Sequence, residues 1–248
     1  MSLTNADILA EYQELRAIQR ALNVDLTKTL SRKAIEETAR RLGLWEAGRI
    51  AFEDEDEVEV LNDSALYDYF PSAKNAVERY AARGPFESSA KQHLVLEAMT
   101  KAHVTLVELG TRVPGVGVQA RDLLFGGELL LADIGLSQTA VEGIVLATRL
   151  LDFPSFSMTT GIAEIFEPGL AALVARSFRD TMLRGVVAAT LDSRTRSRIG
   201  WLLFHLASLE PEDARIQLAA MTAFDLPPDG RRREAVGQLR AKRHDEAI

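Results

Sequence analysis

The chain contains no cysteine. Disulfides, thiol nucleophiles and cysteine-ligated zinc or iron–sulfur centres are therefore excluded, and a reducing compartment is the default expectation. Long apolar runs are missing as well. The longest uncharged stretch, Phe153 to Ala163, contains Pro154 and Gly161 and falls well short of the ~18 residues of a membrane span. The opening MSLTNADILAEYQELR has no basic segment ahead of an apolar one, so it does not read as a signal peptide. These absences predict a cytoplasmic protein with no membrane partner.

A surplus of positive charge is also lacking. Lys and Arg number 29 against 36 Asp and Glu, for a net charge of −7. That balance favours solubility and weighs against a protein built mainly to grip phosphate backbones. What is present is an ordinary globular composition: 248 residues, 47% hydrophobic and 26% charged. A chain of this length buries a core without staples, as one large domain or two small ones. Wholly disordered, collagen-like and coiled-coil-only architectures are excluded.

Helical spacing of Ile8, Tyr12, Leu15, Ile18 and Leu22 predicts a helix over 6–22, capped by Thr4 or Asn5. It reads either as packed on its own domain or as a dimerisation helix, because Ile8, Leu15 and Leu22 lie seven apart. Ser31 looks like the cap of a second helix, Arg32 to Leu42, stopped by Gly43. Ile50, Phe52, Val58 and Val60 alternate with polar residues and suggest a short acidic hairpin turning near Asp54 to Asp56. Further helices are expected from Asp63 or Ser64 to Tyr69, from Ser72 to Gly84, and from Phe86 to His103. The segments VTLVELG, VGVQARDLLF, ELLLADIGL, GIVLATRLL and FSMTTGI then predict five short strands, with Gly126-Gly127 as a two-residue hairpin turn. Residues 138–151 also fit helical spacing, behind Ser137 as a cap. After Pro168 three helices follow, and RRREAVGQLRAKRHDEAI forms a polar tail.

The expected fold class is α+β and predominantly helical: N-terminal helices, a central small antiparallel β-barrel-like segment and C-terminal helices. The expected division is a helical region over 1–104, a β segment over 105–165, a helical region over 166–226 and a polar basic tail over 227–248.

Catalytic signatures are sparse. There is no G-x-S-x-G elbow, and His93, His103, His205 and His244 sit in no recognisable motif. His93 and Glu97 could share a helix face, but two ligands do not make a metal site. Asp54 and Asp56 resemble the start of a calcium loop whose glycine and closing glutamate are missing, with Glu59 and Ala65 in their places. GTRVPGVG, carrying Gly110, Gly115 and Gly117, is neither a P-loop nor a dinucleotide fingerprint. No catalytic residue, metal or cofactor is assigned.

Two features could contact partners. AIEETARRLGL looks like the first helix and turn of a helix-turn-helix within 31–52, with Ala39 and Gly43 correctly separated. The recognition helix would then start near Trp45 and include Arg49, although six carboxylates from Glu53 to Glu59 would repel phosphates. Arg194, Arg196 and Arg198 form one basic cluster, and Arg231, Arg232 and Arg233 begin a tail that also carries Arg240, Lys242 and Arg243. Either cluster could meet an anion or a protein. The acidic segment at 53–63 could itself be the partner of one of them, within the chain or across a dimer.

Residues 117–161 carry a D-L-L-x-G-x-E stretch at Asp122, Leu123, Leu124, Gly126 and Glu128, followed by Ser137, Gly143, Arg149 and Leu150. In this pattern the segment resembles uncharacterised bacterial proteins, over about a fifth of the chain. The resemblance implies no activity and favours strands here. Asp122 and Arg149, charged residues in apolar strands, suggest a buried pair that sets register.

The leading expectation is a non-enzymatic interaction or regulatory protein, homo-oligomeric and binding a protein partner. A nucleic-acid-associated regulator and an enzyme with a dispersed site are the alternatives.

Overall fold

The computed structural model describes residues 4–52, 56–83, 89–181, 190–207 and 209–220. Helix α1 (Asn5–Thr27) starts at a reciprocal cap: the Thr4 hydroxyl accepts from the Asp7 N–H, and the Asp7 carboxylate accepts from the Thr4 N–H. It runs five residues beyond the expected end. Its stripe of Tyr12, Leu15, Gln19, Leu22 and Leu26 is buried within this chain, largely against α5 (Ala90–Lys101). With Leu15 and Leu22 covered, no exposed heptad seam is left, which corrects the dimerisation-helix alternative.

Helix α2 (Arg32–Leu42) follows the expected signals, with the Ser31 hydroxyl accepting from the Ala34 N–H and Gly43 closing it at φ +89°. A tight hairpin of β1 (Trp45–Glu46) and β2 (Arg49–Ile50) comes next. The segment expected as an acidic hairpin is instead helix α3 (Asp56–Tyr67), which places Val58 and Val60 on a helix. Acidic residues in a helix's first turn interact favourably with its positive dipole end, which favours a helix start here over a short strand. Helix α4 (Ala76–Ala81), capped by Asn75, and α5, capped by Ser89, are shorter than expected. His103 begins a strand.

Five strands then follow: β3 (His103–Val113), β4 (Gly117–Asp122), β5 (Glu128–Ala132), β6 (Val145–Asp152) and β7 (Ser157–Phe166), with one helical turn, α6 (Leu136–Thr139), before β6. Their hydrogen-bonded order, β3-β4-β5-β7-β6, returns to β3. The pairings are antiparallel except between β5 and β7, which run parallel and meet only at Leu131 and Ser157. The sheet is therefore mixed rather than antiparallel, and one bridge is all that joins its β5–β7 seam. Gly126 and Gly127 take φ +79° and +100° as a turn requires. The loop is longer than two residues, because the Asp122 Oδ1 accepts from the Leu124 and Phe125 N–H groups and pulls Leu123 to Phe125 out of the strand.

One face of the ring encloses Val107, Leu109, Val118, Ala120, Leu131, Leu146 and Leu150. The other is covered by helices. Val104, Leu106, Ala147 and Ile162 pack under α7 (Pro168–Thr181), α8 (Ser193–Ala207) and α9 (Pro211–Ala220), while Ala132, Leu151 and Met158 pack under α1 and α5. Residues 145–151 of β6 are buried on both faces. A strand covered on both sides carries apolar residues at every parity, which is why this stretch also fits a helical period.

Two glycines set the closest approaches. A Cβ at Gly117 would lie 2.0 Å from the Leu131 carbonyl oxygen, and one at Gly200 of α8 would lie 2.8 Å from Val104 Cγ2. The obstacle at Gly117 is backbone, so it cannot turn aside. Gly117→Ala should cost more than the ~1–3 kcal/mol of ordinary overpacking. Urea unfolding monitored by circular dichroism should show a clearly lowered midpoint, and an unchanged midpoint would contradict the β4–β5 register.

Candidate functional site

Helix α3 is fixed to the sheet by one buried guanidinium. Arg149 on β6 donates from Nε to Asp63 Oδ2 at 2.8 Å and from Nη2 to Asp68 Oδ2 at 2.6 Å, and its Cζ lies 4.6 Å from the centre of the Tyr67 ring. Arg149 and Asp68 side chains are each 1% exposed. Desolvation works against the guanidinium's charge, but the Asp63 and Asp68 carboxylates outweigh it and hold its pKa above the ordinary value. Burial pushes the Asp68 carboxyl up to about 6, against the pull of Arg149. Burial, with the Asp63 carboxylate, also raises the Tyr67 phenol, so it stays neutral.

Above this clamp, α2, α3, α8 and β7 surround a cleft of about 440 Å³. Carboxylates line it from Glu57 and Glu59 of α3 and Glu164 of β7, and Arg41, Trp201 and His205 complete the polar part of its wall. The Arg41 guanidinium sits 4.7 Å from the Trp201 ring centre and donates to the Asp68 carbonyl at 3.4 Å. Trp201 is 5% exposed, and its indole N–H finds no acceptor among the described residues.

The cleft runs along a strand edge. Beyond Ser157, no β5 residue pairs with β7, and among the described residues no second strand lies on its outer side. On that stretch α1 side chains reach the Thr159 and Thr160 carbonyls: Arg16 Nη1 donates to Thr159 at 2.5 Å and Gln19 Nε2 to Thr160 at 3.3 Å. The next residues, Gly161 to Glu164, form the cleft wall instead. A neighbouring groove of about 600 Å³ lies between α1 and α3 and shares Glu59, Gly161 and Ile162 with the cleft.

The residues singled out from sequence are not brought together. Asp122 and Arg149 do not pair. Asp122 lies opposite Val107 and Arg149 opposite Val104 on the shared neighbour β3, and positions three apart on a strand face opposite sides. Asp122 instead accepts from the Thr105 hydroxyl at 2.6 Å. Burial raises its carboxyl, and burial lowers the nearby His103 imidazole. The cluster of Arg194, Arg196 and Arg198 divides around α8. Arg196 is buried and donates to the Thr100 carbonyl at 2.7 Å, whereas Arg194 and Arg198 are exposed on the other side. Arg194 donates to the Ser72 carbonyl at 2.5 Å. Arg231, Arg232 and Arg233 lie outside the described residues. The helix-turn-helix reading loses its second helix, since Trp45 and Arg49 sit on the β1–β2 hairpin. Left-handed Ala47 and Gly48 turn the chain back there, which no helix start permits. His93 and Glu97 do not converge with His205: both are exposed on α5, and Glu97 pairs with Lys101 at 2.6 Å. Among the described residues, no group of three or more His, Asp or Glu side chains could hold a metal ion, and no helix is long and apolar enough to cross a membrane.

Sequence reasoning missed Asp68, Arg41, Trp201 and Glu164. They come from α2, α8, β7 and the residue just past α3, and no spacing in the chain links them.

A family profile described as a family of unknown function (DUF7986) matches residues 6–188. No curated protein matches the chain, and no solved structure matches it.

The clamp makes two stability predictions. Arg149→Met leaves two carboxylates buried without a cation, so it should cost about 3–5 kcal/mol in urea unfolding. Asp68 has a raised carboxyl, so its contribution is present below the ordinary carboxylate range and is lost as pH rises from about 4 through about 6. Asp68→Asn should remove that part of the slope, on the order of 1–3 kcal/mol between pH 4 and 7. Parallel pH profiles for the variant and the native chain would contradict this assignment.

Proposed function

The chain belongs to this family of unknown function, and from that premise we propose that it is a non-enzymatic interaction protein whose cleft seats an extended, basic segment of a protein partner. The observation that carries the reading is the edge of β7 at Gly161 to Glu164, which among the described residues has no second strand and lines a cleft whose wall bears Glu57, Glu59 and Glu164. A strand edge recognises an extended chain through main-chain hydrogen bonds, whatever its sequence. The Glu57, Glu59 and Glu164 carboxylates in the same wall favour positive side chains.

The rest of the edge supports the same reading. An open edge invites unwanted pairing, and proteins normally blunt it. Arg16 and Gln19 do this at Thr159 and Thr160, while the cleft stretch is left without such side-chain cover from α1. An exposed apolar side chain follows this stretch: Ile165, directly after Glu164, is 71% exposed. The same carboxylates disfavour a nucleic-acid backbone at this site.

The test is fluorescence anisotropy with a labelled extended peptide of alternating Arg and Ala. Saturable binding that weakens with salt is expected. Glu164→Lys should reduce affinity about tenfold, or ~1.4 kcal/mol, and Glu97→Lys on α5 should leave it unchanged. Equal losses from both variants, or no binding to the native chain, would overturn the proposal.

A further inference from the structure

A second recess lies beside the cleft, and different chemistry lines it. The groove of about 600 Å³ between α1 and α3 meets β7 at Thr160, Gly161 and Ile162. There β7 bulges. Leu150 pairs with Thr159 and Thr148 with Ala163, so Arg149 alone on β6 stands opposite residues 160–162. Gly161 carries the bend at φ +128°, a conformation that residues with side chains rarely adopt. Bulges recur beside functional sites because they re-aim a short stretch of strand. Polar atoms collect where this bulge meets the helices. Arg16 Nε, Asn23 Oδ1 and the Thr160 hydroxyl are buried without a partner among the described residues, and all three residues line the groove. Thr160 as a whole is only 9% exposed. The large majority of buried polar atoms in folded proteins are hydrogen-bonded, so three together in one groove point to a polar occupant.

The groove also divides charge by wall. Arg16 and Arg20 stand on α1, and Glu59 and Asp63 stand on α3. Two of these charges are already met. The Arg16 guanidinium donates to the Thr159 carbonyl at 2.5 Å and lies 3.7 Å from an Asp133 carboxylate oxygen. Asp63 accepts from Arg149 at 2.8 Å. Arg20 and Glu59 remain. Both are exposed, and neither has a hydrogen-bond or ion-pair partner among the described residues. Glu59 sits beside the bulge, with its Oε2 3.8 Å from where a Gly161 Cβ would stand. A simple anion here would meet Glu59 and a simple cation would meet Arg20. Only a ligand that carries both signs suits both walls.

From the bulge, the unpartnered buried polar atoms and the divided charge, we infer that this groove binds a small zwitterion of the amino-acid class, a free amino acid or a dipeptide. Arg20 takes its carboxylate, for which a guanidinium fork is suited, and Glu59 takes its ammonium. Asn23 and Thr160 hydrogen-bond the polar groups between the two charges. The site is separate from the cleft: Arg20, Asn23 and Thr160 do not line the cleft, and Glu59 is the one charged residue common to both.

The test is isothermal titration calorimetry of the full chain with glycine and with glycylglycine, each against its N-acetyl and C-amide forms. At least one of the two zwitterions should bind saturably, and the tighter one gives the length of the ligand. Blocking either charge should weaken binding about tenfold. Arg20→Gln should lower affinity by a similar factor and remove the difference between free carboxylate and amide. Glu59→Gln should do the same for free ammonium and acetyl. Both side chains are exposed, so the unfolding midpoint of each variant without ligand should match the native chain. Glu97→Gln on α5 should bind as the native chain does. No saturable binding of either zwitterion would overturn the inference. Equal binding of the blocked forms, or a carboxylate preference that survives Arg20→Gln, would overturn it too. The labelled basic peptide separates this site from the cleft reading, because Arg20→Gln should leave its anisotropy titration unchanged. A chain that binds the zwitterion and not the peptide keeps the groove and loses the cleft reading, and the reverse result loses the groove.

Discussion

One fully buried guanidinium fixes helix α3 to the sheet. Arg149 leaves the outer face of β6 and takes a carboxylate from within α3 and another just beyond its end. A buried charge is tolerated only with such partners, so the position of α3 is set as closely as the geometry of those two hydrogen bonds. The rest of the cleft follows from it. Arg41 of α2 reaches the Asp68 carbonyl at the end of α3, Glu57 and Glu59 face β7, and Trp201 of α8 lies against Arg41. Two carboxylates on one cation also leave a net negative charge in a dry place. Burial of Asp68, with the Asp63 carboxylate adding to it against the pull of Arg149, is why Asp68 holds its proton to a higher pH than an ordinary aspartate.

The second constraint is the incomplete seam of the strand ring. With β5 and β7 meeting at a single residue pair, most of the outer edge of β7 must be covered by something other than a strand. Side chains of α1 cover part of it, and the cleft occupies the part that follows. A helical layer held at a fixed height by Arg149 thus turns a gap in the sheet into a recess with a polar wall. Fold and candidate site share one cause.

Helix caps, the five strand segments and the presence of a glycine turn at 126–127, though not its length, were legible along the chain, because each depends on residues within a few positions of one another. The N-terminal stretch of α3 was misread, since an alternating run of valines and acids satisfies a short strand as well as a helix start. The stretch 138–151 was ambiguous for a related reason: burial on both faces removes the alternation that distinguishes strand from helix. Asp122 and Arg149 were both recognised as buried charges, yet their partners were not, because which face each occupies depends on a register against β3 that neither segment encodes alone.

The sequence by itself therefore determined composition class, the local elements with strong caps or turns, and the presence of charges in apolar strands. These are short-range consequences of propensity and burial. Only the tertiary structure decided which charges meet, which edge stays open and which four elements enclose the cleft. Those outcomes depend on strand order, register and helix placement, and contacts between residues some eighty positions apart, such as Asp63 and Arg149, leave no periodic trace in a single chain.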